Sequence, residues 1–147
     1  MLNMTAAPAS ETTLASDLLA VVARINRLAN QRVRLPLPFA QARLLSTIEA
    51  EGRARISDLA ALDHCSQPTM TTQVRRLEDA GLVSRTVDPD DARAVLISIT
   101  PQGIATLAQV RADRGNAIDP FLAELASSDR DTLAAAVEIM RGLLAAH

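Results

Sequence analysis

The sequence contains almost no aromatic side chains, and this restricts how its core can be built. Phe39 and Phe121 are the only Phe, Trp or Tyr residues among 147, although 48% of the chain is hydrophobic. Leu, Ile, Val, Ala and Met must therefore supply the core, and small aliphatic side chains favour closely packed helices. This amount of apolar material is enough for one compact core. The sequence predicts a mainly α-helical chain.

Apolar residues recur at helical spacing from residue 11 onward. Residues 1–10 show no periodicity and are expected to form a flexible tail, whereas residues 11–147 are expected to form a single domain. Within residues 11–35, spacings of four and three predict one long helix with an apolar stripe. The stripe consists of Leu14, Leu18, Val21, Ile25 and Leu28. Pro38 is expected to open a second helix and Gly52 to end it.

Two short helices are predicted next, separated by a polar break. Ser57 has the side chain of an N-cap for the third helix, and Ser66 has that of an N-cap for the fourth. Met70, Val74 and Leu77 lie on one side of the fourth helix at spacings of four and three. The polar residues on the opposite side are therefore expected to face outward.

A β-hairpin is predicted after the fourth helix, which Gly81 should end. Residues 82–87 alternate in polarity and are rich in β-branched side chains, residues 88–92 have turn composition, and residues 95–99 read as a returning strand. Two short helices followed by a hairpin make a winged helix-turn-helix. We assign this unit to residues 38–99.

Further helices are predicted over residues 100–147. Thr100 is expected to cap the first of them with Pro101 at its first position. Asp119-Pro120 should kink or restart that helix, and residues 128–131 resemble a capping box for the last one. The apolar stripes of residues 11–35 and 100–147 exceed what such a small unit can cover. These two segments are predicted to be dimerisation helices.

All 15 basic residues are arginines, yet the formal net charge is -2. A negative total argues at first against nucleic acid, but the positions of the cations matter more than their sum. Arginine suits bidentate contacts to phosphate and guanine and fits narrow minor grooves. Arginines gathered on one exposed face would therefore favour DNA binding.

Other classes of protein lack their usual motifs here. No apolar run approaches the roughly 18 residues of a membrane span, and no signal peptide is seen, so a cytoplasmic protein is expected. Cys65, the single cysteine, lies beside His64 without further closely spaced ligands, so no metal site or redox role is assigned. The acidic cluster at residues 88–91 lacks the spacing of a calcium loop and is interpreted as a turn. No nucleophile motif or phosphate loop indicates an enzyme, and no cofactor is expected.

Several spaced motifs resemble those of the MarR family of transcriptional regulators. Residues 66–72 (SQPTMTT) and 77–85 (LEDAGLVSR) look like the recognition helix and first wing strand of that family. Residues 91–93 (DAR) resemble its wing signature, and residues 99–103 (ITPQG) resemble the start of its dimer helix. The resemblance implies a homodimer with two winged helix-turn-helix units on consecutive major grooves of a pseudopalindrome in double-stranded DNA.

The resemblance places DNA contacts on recognition helix 66–80 and wing 82–99. Arg93 resembles the arginine that reaches into the minor groove, and Asp91 would accept hydrogen bonds from it or hold the turn. Arg85 would support the wing or touch a phosphate. Arginine or glutamine on the helix could pair with base edges, whereas hydroxyl groups near its N-terminus suit phosphate. The predicted DNA-binding residues are Ser66, Gln67, Pro68, Thr69, Thr71, Thr72, Arg75, Arg76, Arg85, Asp91 and Arg93.

The resemblance also raises the question of an effector. MarR-type regulators often bind small aromatic or phenolic anions between their first, second and fifth helices. Arg24, Arg27, Arg32 and Arg43 lie in the first two helices and could supply a cation, but none is assigned as a ligand residue. An effector would have to prefer a dimer whose recognition helices are wrongly spaced for DNA.

Two functions remain in competition. The first is a sequence-specific regulator, expected to repress rather than activate because a small two-headed dimer has no extra domain to recruit polymerase. The second is a winged-helix protein-interaction module without specific DNA binding. Such a module needs no outward arginines on both helix and wing, so Arg75, Arg76 and Arg93 distinguish the two.

Overall fold

The computed structural model describes residues 11–147, with side chains from Thr13 onward. The expected flexible tail, residues 1–10, lies outside the described residues. The order of elements is α1 (Glu11–Arg32), α2 (Phe39–Glu51), β1 (Ala54–Arg55), α3 (Ile56–Leu62), α4 (Gln67–Asp79), β2 (Val83–Asp88), β3 (Asp91–Ile99), α5 (Pro101–Ala123) and α6 (Ser127–Ala145). The predicted class, mainly α-helical with a small β wing, is confirmed. Among residues 11–147 no helix is long and apolar enough to cross a membrane.

One apolar core lies between α2, α3, α4 and the sheet. The inward residues predicted for α4, Met70, Val74 and Leu77, are all buried. Leu44, Leu45 and Ile48 of α2 are buried as well. Leu107 of α5 packs into the same cluster, so α5 is attached to the winged helix-turn-helix through the core. The full cluster is Leu44, Leu45, Ile48, Ala54, Leu59, Ala60, Met70, Val74, Leu77, Leu82, Val83, Ile97 and Leu107.

The sheet has three antiparallel strands in the order β1-β3-β2, whereas the sequence predicted only the hairpin. β1 consists of two residues, Ala54 and Arg55, which pair with Ile97 and Leu96. This pairing keeps Arg55 extended, so α3 begins at Ile56 with Arg55 as its N-cap. The prediction that Ser57 caps α3 is therefore wrong.

The tip of the hairpin is tighter than predicted. β3 already begins at Asp91, so only Pro89 and Asp90 form the turn. The Asp88 carboxylate accepts a hydrogen bond from the Asp90 backbone N–H at 2.9 Å, and this bond stabilises a tight turn directly after β2. The register then shifts, because Val87 pairs with Val95 but Asp88 pairs with Asp91. Residues 92–94 are left out of register with β2.

The predicted ends of α4 and the start of α5 are confirmed. Ser66 caps α4 by accepting the Thr69 backbone N–H at 3.3 Å, and Gly81 follows the helix with a φ of 76°. Thr100 caps α5 by accepting the Gly103 N–H at 3.0 Å. The Thr100 hydroxyl also donates to the Gly81 carbonyl at 2.7 Å, which ties the end of α4 to the start of α5.

The C-terminal helices depart from the predictions at two places. Of the two outcomes predicted for Asp119-Pro120, a kink or a restart, the restart is wrong, because α5 runs through Pro120 to Ala123. Pro120 lies in the last turns of α5, where few helical hydrogen bonds remain to be disturbed. The capping box predicted over residues 128–131 is not formed, because α6 begins earlier, after Ala126, without a side-chain cap.

The outer helices leave apolar faces uncovered. α1 packs against α5, yet Leu14 and Val21 of α1 are 67% and 53% exposed. α6 has no buried residue within the described chain. Its predicted stripe is open as well, with Val137 41% and Leu144 81% exposed. These two faces have no partner among residues 11–147.

Candidate nucleic-acid interface

The polar side of α4 faces away from the core, as predicted. Because Met70, Val74 and Leu77 fix the buried side, the residues about 180° away on the helix are turned to solvent. Thr71 lies on the flank of the helix and is partly buried. The exposed predicted residues on α4 and its N-cap are Ser66, Gln67, Pro68, Thr69, Thr72, Arg75 and Arg76.

The hydroxyl groups at the start of α4 form a local network. Ser66 Oγ donates to Thr69 Oγ1 at 2.9 Å and accepts the Thr69 backbone N–H. Thr72 Oγ1 donates to the Pro68 carbonyl at 3.1 Å. Thr69 accepts through its oxygen in this network, so its own hydroxyl hydrogen is left to donate outward. A helix N-terminus with such a donor suits a phosphate oxygen.

The two arginines of α4 are unpaired. Arg75 and Arg76 are exposed and form no ion pair or hydrogen bond through their side chains in the described part of the chain. By contrast, five arginines elsewhere pair firmly with carboxylates: Arg43, Arg55, Arg85, Arg111 and Arg141. The outer face of α4 therefore carries two arginines whose guanidinium groups are not held in an ion pair among the described residues.

Arg93 projects from the out-of-register segment of β3. Its side chain is 94% exposed, and its Nε lies 3.5 Å from Asp91 Oδ1, which is a weak contact. Asp91 Oδ1 also accepts the Arg93 backbone N–H at 3.0 Å, so Asp91 both holds the turn and touches Arg93. The backbone of Arg93 is fixed while its guanidinium is free to reach a partner.

Arg85 forms an ion pair within the chain. Its guanidinium pairs with Glu78 at the end of α4. This pair joins β2 to the recognition helix. The pair agrees with the supporting role, one of the two that the sequence left open for Arg85, and a phosphate contact stays a prediction.

A partly buried ion pair at the wing was not predicted from the sequence. Asp88 is only 5% exposed, and its Oδ2 accepts hydrogen bonds from Arg55 Nε at 2.9 Å and Nη2 at 2.5 Å. The hydrogen bond from the Asp90 N–H, and then the bond from Arg55, hold the pKa of Asp88 below its usual value. The sequence marked Asp88 only as a turn residue. Its partner lies 33 positions away, beyond the reach of a local pattern.

This arrangement of helix, wing and core agrees with what comparison with known proteins finds. The MarR family model matches residues 37–95, which cover α2 to the middle of β3. An HTH-type transcriptional regulator of Mycobacterium tuberculosis is 33% identical over 136 residues, covering 92% of this chain and 95% of the relative. The chain belongs to the MarR family. It is accordingly a transcriptional regulator with a DNA-binding winged helix, and not an enzyme.

Solved MarR-type structures show the same fold. A transcriptional regulator from Thermotoga maritima superposes with a TM-score of 0.73 at 25% identity, covering 91% of this chain and 95% of that one. A mutant MarR from E. coli complexed with operator DNA superposes with a TM-score of 0.59 at 23% identity, covering 86% of this chain and 92% of that one. The fold expected from the MarR resemblance is confirmed.

A cavity of about 520 Å³ lies between α1, α2 and α5, next to the winged helix-turn-helix of this MarR-family chain. Its charged groups include three arginines, of which Arg43 was considered from the sequence and Arg111 and Arg114 were not. Two polar atoms of the wall, Asn30 Oδ1 and Arg114 Nε, are buried without a hydrogen-bond partner among the described residues. The cavity is lined by Asn26, Asn30, Leu35, Phe39, Ala40, Ala42, Arg43, Ser46, Leu107, Val110, Arg111 and Arg114.

The remaining arginines considered from the sequence lie outside this cavity. Arg24 and Arg27 line an open groove along α1. Arg32 is stacked over the Phe121 ring at 4.8 Å, a cation–π contact between the ends of α1 and α5.

Cys65 is partly buried against the core as a free thiol. Within residues 11–147 no cluster of His, Cys, Asp and Glu could hold a metal ion.

Proposed function

We propose that this protein is a homodimeric, sequence-specific regulator that binds a pseudopalindromic operator and acts as a repressor. One observation supports it above all. Arg75 and Arg76 are unpaired on the exposed face of a helix whose opposite side is locked into the core. A rigid helix that carries free arginines and a hydroxyl-rich N-terminus has the chemistry needed to contact base edges and phosphates in a major groove.

The wing supplies the second contact in this proposal. Arg93 reaches into the minor groove beside the half-site, where the narrow groove concentrates negative potential. Asp91 fixes the backbone at Arg93, and Arg85 holds β2 to α4 through Glu78. On α4, Gln67, Arg75 and Arg76 are assigned to base edges or phosphates. Thr69 and Thr71 are assigned hydrogen bonds to phosphates. Ser66, Pro68 and Thr72 are assigned contacts with the DNA backbone that need no donor from their side chains, because the Ser66 and Thr72 hydroxyls already donate within the chain.

The uncovered faces of α1 and α6 support a homodimer. Both helices bear long aliphatic side chains at spacings of three and four, and these are exposed in a single chain. Large contiguous apolar surfaces of this kind mark protein interfaces. A second copy with the same two faces would cover them through a two-fold axis. The exposed residues are Leu14, Leu18, Val21 and Ile25 of α1 and Leu133, Val137 and Leu144 of α6.

A two-fold dimer explains why the operator would be pseudopalindromic. It presents two copies of α4 to one face of the duplex, which requires half-sites about 10 base pairs apart. The E. coli MarR mutant with this fold was solved in complex with operator DNA. A dimer bound across promoter DNA excludes polymerase from the same segment, and we therefore propose repression.

The cavity between α1, α2 and α5 is proposed as the site of a small aromatic or phenolic anion. Arg114 Nε needs an acceptor and Asn30 Oδ1 needs a donor, so a ring that carries a carboxylate and a hydroxyl group would satisfy both. Such a ligand would weaken DNA binding only if it prefers a dimer with wrongly spaced recognition helices.

The first test is binding of the purified protein to the DNA upstream of its own gene and to an unrelated duplex of equal length. The proposal predicts selective binding by a dimer, weakening steeply as salt rises. The mass of the free protein and of the complex is measured in parallel. Equal binding to both duplexes, together with no selection from a random pool, would contradict a sequence-specific regulator and favour a protein-interaction module.

A further inference from the structure

The tip of the wing is tied to the body of the protein by one charged contact. Arg55 of β1 donates from Nε and Nη2 to the same oxygen of Asp88, at 2.9 and 2.5 Å. The Asp88 side chain is 7% exposed, whereas that of Arg55 is 41% exposed. Because β1 lies at the opposite edge of the sheet from β2, this contact crosses β3 and fixes the end of β2 against the start of α3.

The same carboxylate shapes the turn that follows. Asp88 Oδ1 accepts the Asp90 N–H, while Asp88 Oδ2 is held by Arg55. Rotation of the Asp88 side chain would therefore break both contacts at once. The conformation of the turn and the attachment of the wing depend on one group.

Arg93 lies directly downstream of this anchor. Asp88 pairs across the sheet with Asp91, whose carboxylate holds the backbone N–H of Arg93. Residues 92–94 have no register partners in β2, so they lack the regular strand pairing that would otherwise hold them. The position of Arg93 is thus set through Asp91 and Asp88, and ultimately through Arg55.

We propose that Arg55 is a positioning residue for the DNA contact of the wing: through Asp88 it holds the turn so that Arg93 is presented to the minor groove. This inference rests on the proposed function, since it presumes that Arg93 contacts DNA. An arginine on a preorganised turn binds without the entropic cost of ordering a flexible loop. Arg55 contributes to affinity by lowering this cost.

The central experiment is a double-mutant cycle on operator binding with R55M, R93A and the double variant. If Arg55 acts only by placing Arg93, R55M weakens binding in the wild-type background but has little further effect once Arg93 is absent. We expect the two losses to fall short of additivity by about threefold or more, within the usual range for coupled residues. R53M is the matched control, since Arg53 is exposed and close to Arg55 in the chain but is not in contact with Asp88. Any loss of operator affinity caused by R53M should be additive with the loss caused by R93A.

D88N separates positioning from a direct phosphate contact by Arg55. It removes a negative charge and leaves Arg55 in place with its guanidinium released. If Arg55 touched phosphate itself, D88N would leave binding unchanged or strengthen it. Positioning predicts the reverse, a loss similar to that of R55M. R55K, which keeps the charge but loses the two-pronged bond, should recover only part of the affinity.

Hydrogen exchange of the Asp90 amide reports the anchor without DNA. It should be faster in R55M than in wild type, while amides of the α4 core stay protected, which also checks that the variant is folded. Additive losses for R55M and R93A, or unchanged affinity in D88N, would overturn the inference while leaving the proposed function intact. Unchanged affinity in R93A would instead contradict the wing contact of the proposed function and, with it, the role of Arg55.

Discussion

Gly103 of α5 lies directly against the backbone carbonyl of Leu82, and a Cβ atom on Gly103 would overlap that oxygen. The same Cβ would come within 2.7 Å of Ile99 Cγ1. Both neighbours belong to the base of the wing, and the Thr100 N–H donates to the same Leu82 carbonyl at 3.0 Å. The junction between the winged helix-turn-helix and α5 is therefore closed too tightly for any side chain at position 103.

The first prediction concerns this junction. G103A should lower the free energy of unfolding by about 1–3 kcal/mol or more, because the crowding involves backbone rather than a flexible side chain. G115A, in the same helix with open space around it, should be neutral or stabilising by up to roughly 1 kcal/mol. Urea denaturation of both variants measures the difference. Equal stability of the two would contradict the tight junction.

The second prediction concerns the arginines of α4. R75Q and R76Q should each weaken operator binding and reduce the salt slope by about one where a phosphate contact is lost, without changing the melting temperature by more than a degree or two. A residue that reads a base should also relax selectivity at one position. R130Q, which removes an exposed arginine from α6, is the control and should bind DNA normally. Full affinity in the R75Q/R76Q double variant would contradict the assigned interface.

The third prediction concerns pH. The pKa of Asp88 is lowered in the folded protein, so its stabilising effect is present above the pKa of the unfolded chain and is lost as pH falls through the folded pKa. D88N should therefore be less stable than wild type at pH 7. The difference in free energy of unfolding between wild type and D88N should begin to shrink below about pH 4–5 and disappear at lower pH.

D90N is the control for this titration. The exposed Asp90 carboxylate makes no ion pair in the described part of the chain, so D90N should have the stability of wild type at pH 7. Denaturation curves from pH 7 to pH 2 test both variants. A stability gap between wild type and D88N that does not change with pH would rule out the ion pair as its source.

The fourth prediction concerns the uncovered face of α6. V137D places a charge in the apolar stripe and should shift the protein from dimer to monomer, since a buried unpaired charge is strongly unfavourable. A134D places the same charge on the side of α6 that carries Arg130, Glu138 and Arg141, and it should remain dimeric. Light scattering after size-exclusion chromatography measures both masses. An unchanged dimer in V137D would place the interface elsewhere.

The fifth prediction concerns the cavity. Wild-type protein should bind 2-hydroxybenzoate, used as a probe, and R114Q should bind it about tenfold more weakly or worse, as expected for loss of a charged hydrogen bond. R24Q, on the open side of α1, should bind like wild type. Titration calorimetry gives the affinities. Equal binding by wild type and R114Q would exclude Arg114 from the site.

Features set by short-range patterns were predictable from the sequence. The spacing of Met70, Val74 and Leu77 identified the buried side of α4, and the Ser66 and Thr100 caps marked helix starts correctly. The motifs at residues 66–72 and 91–93 led to the family. In each case the residues that form the pattern lie within about two helical turns, along the chain, of the feature that they predict.

Features that depend on distant partners were not predictable in the same way. β1 has two residues and exists only because β3 runs alongside it. Arg55 and Asp88 meet only after the sheet has formed. Leu107, Val110, Arg111 and Arg114 have the spacing of one helical face, which was a usable signal, but nothing local shows that α1 and α2 close a cavity over it.

The central claim is that two copies of this chain read two half-sites at once, and selection of bound duplexes from a random-sequence pool tests it most directly. The account predicts an enriched inverted repeat whose half-sites are centred about 10 base pairs apart, recovered by wild type but not by the R75Q/R76Q variant. Enrichment of a single unpaired half-site, or of no sequence at all, would contradict it.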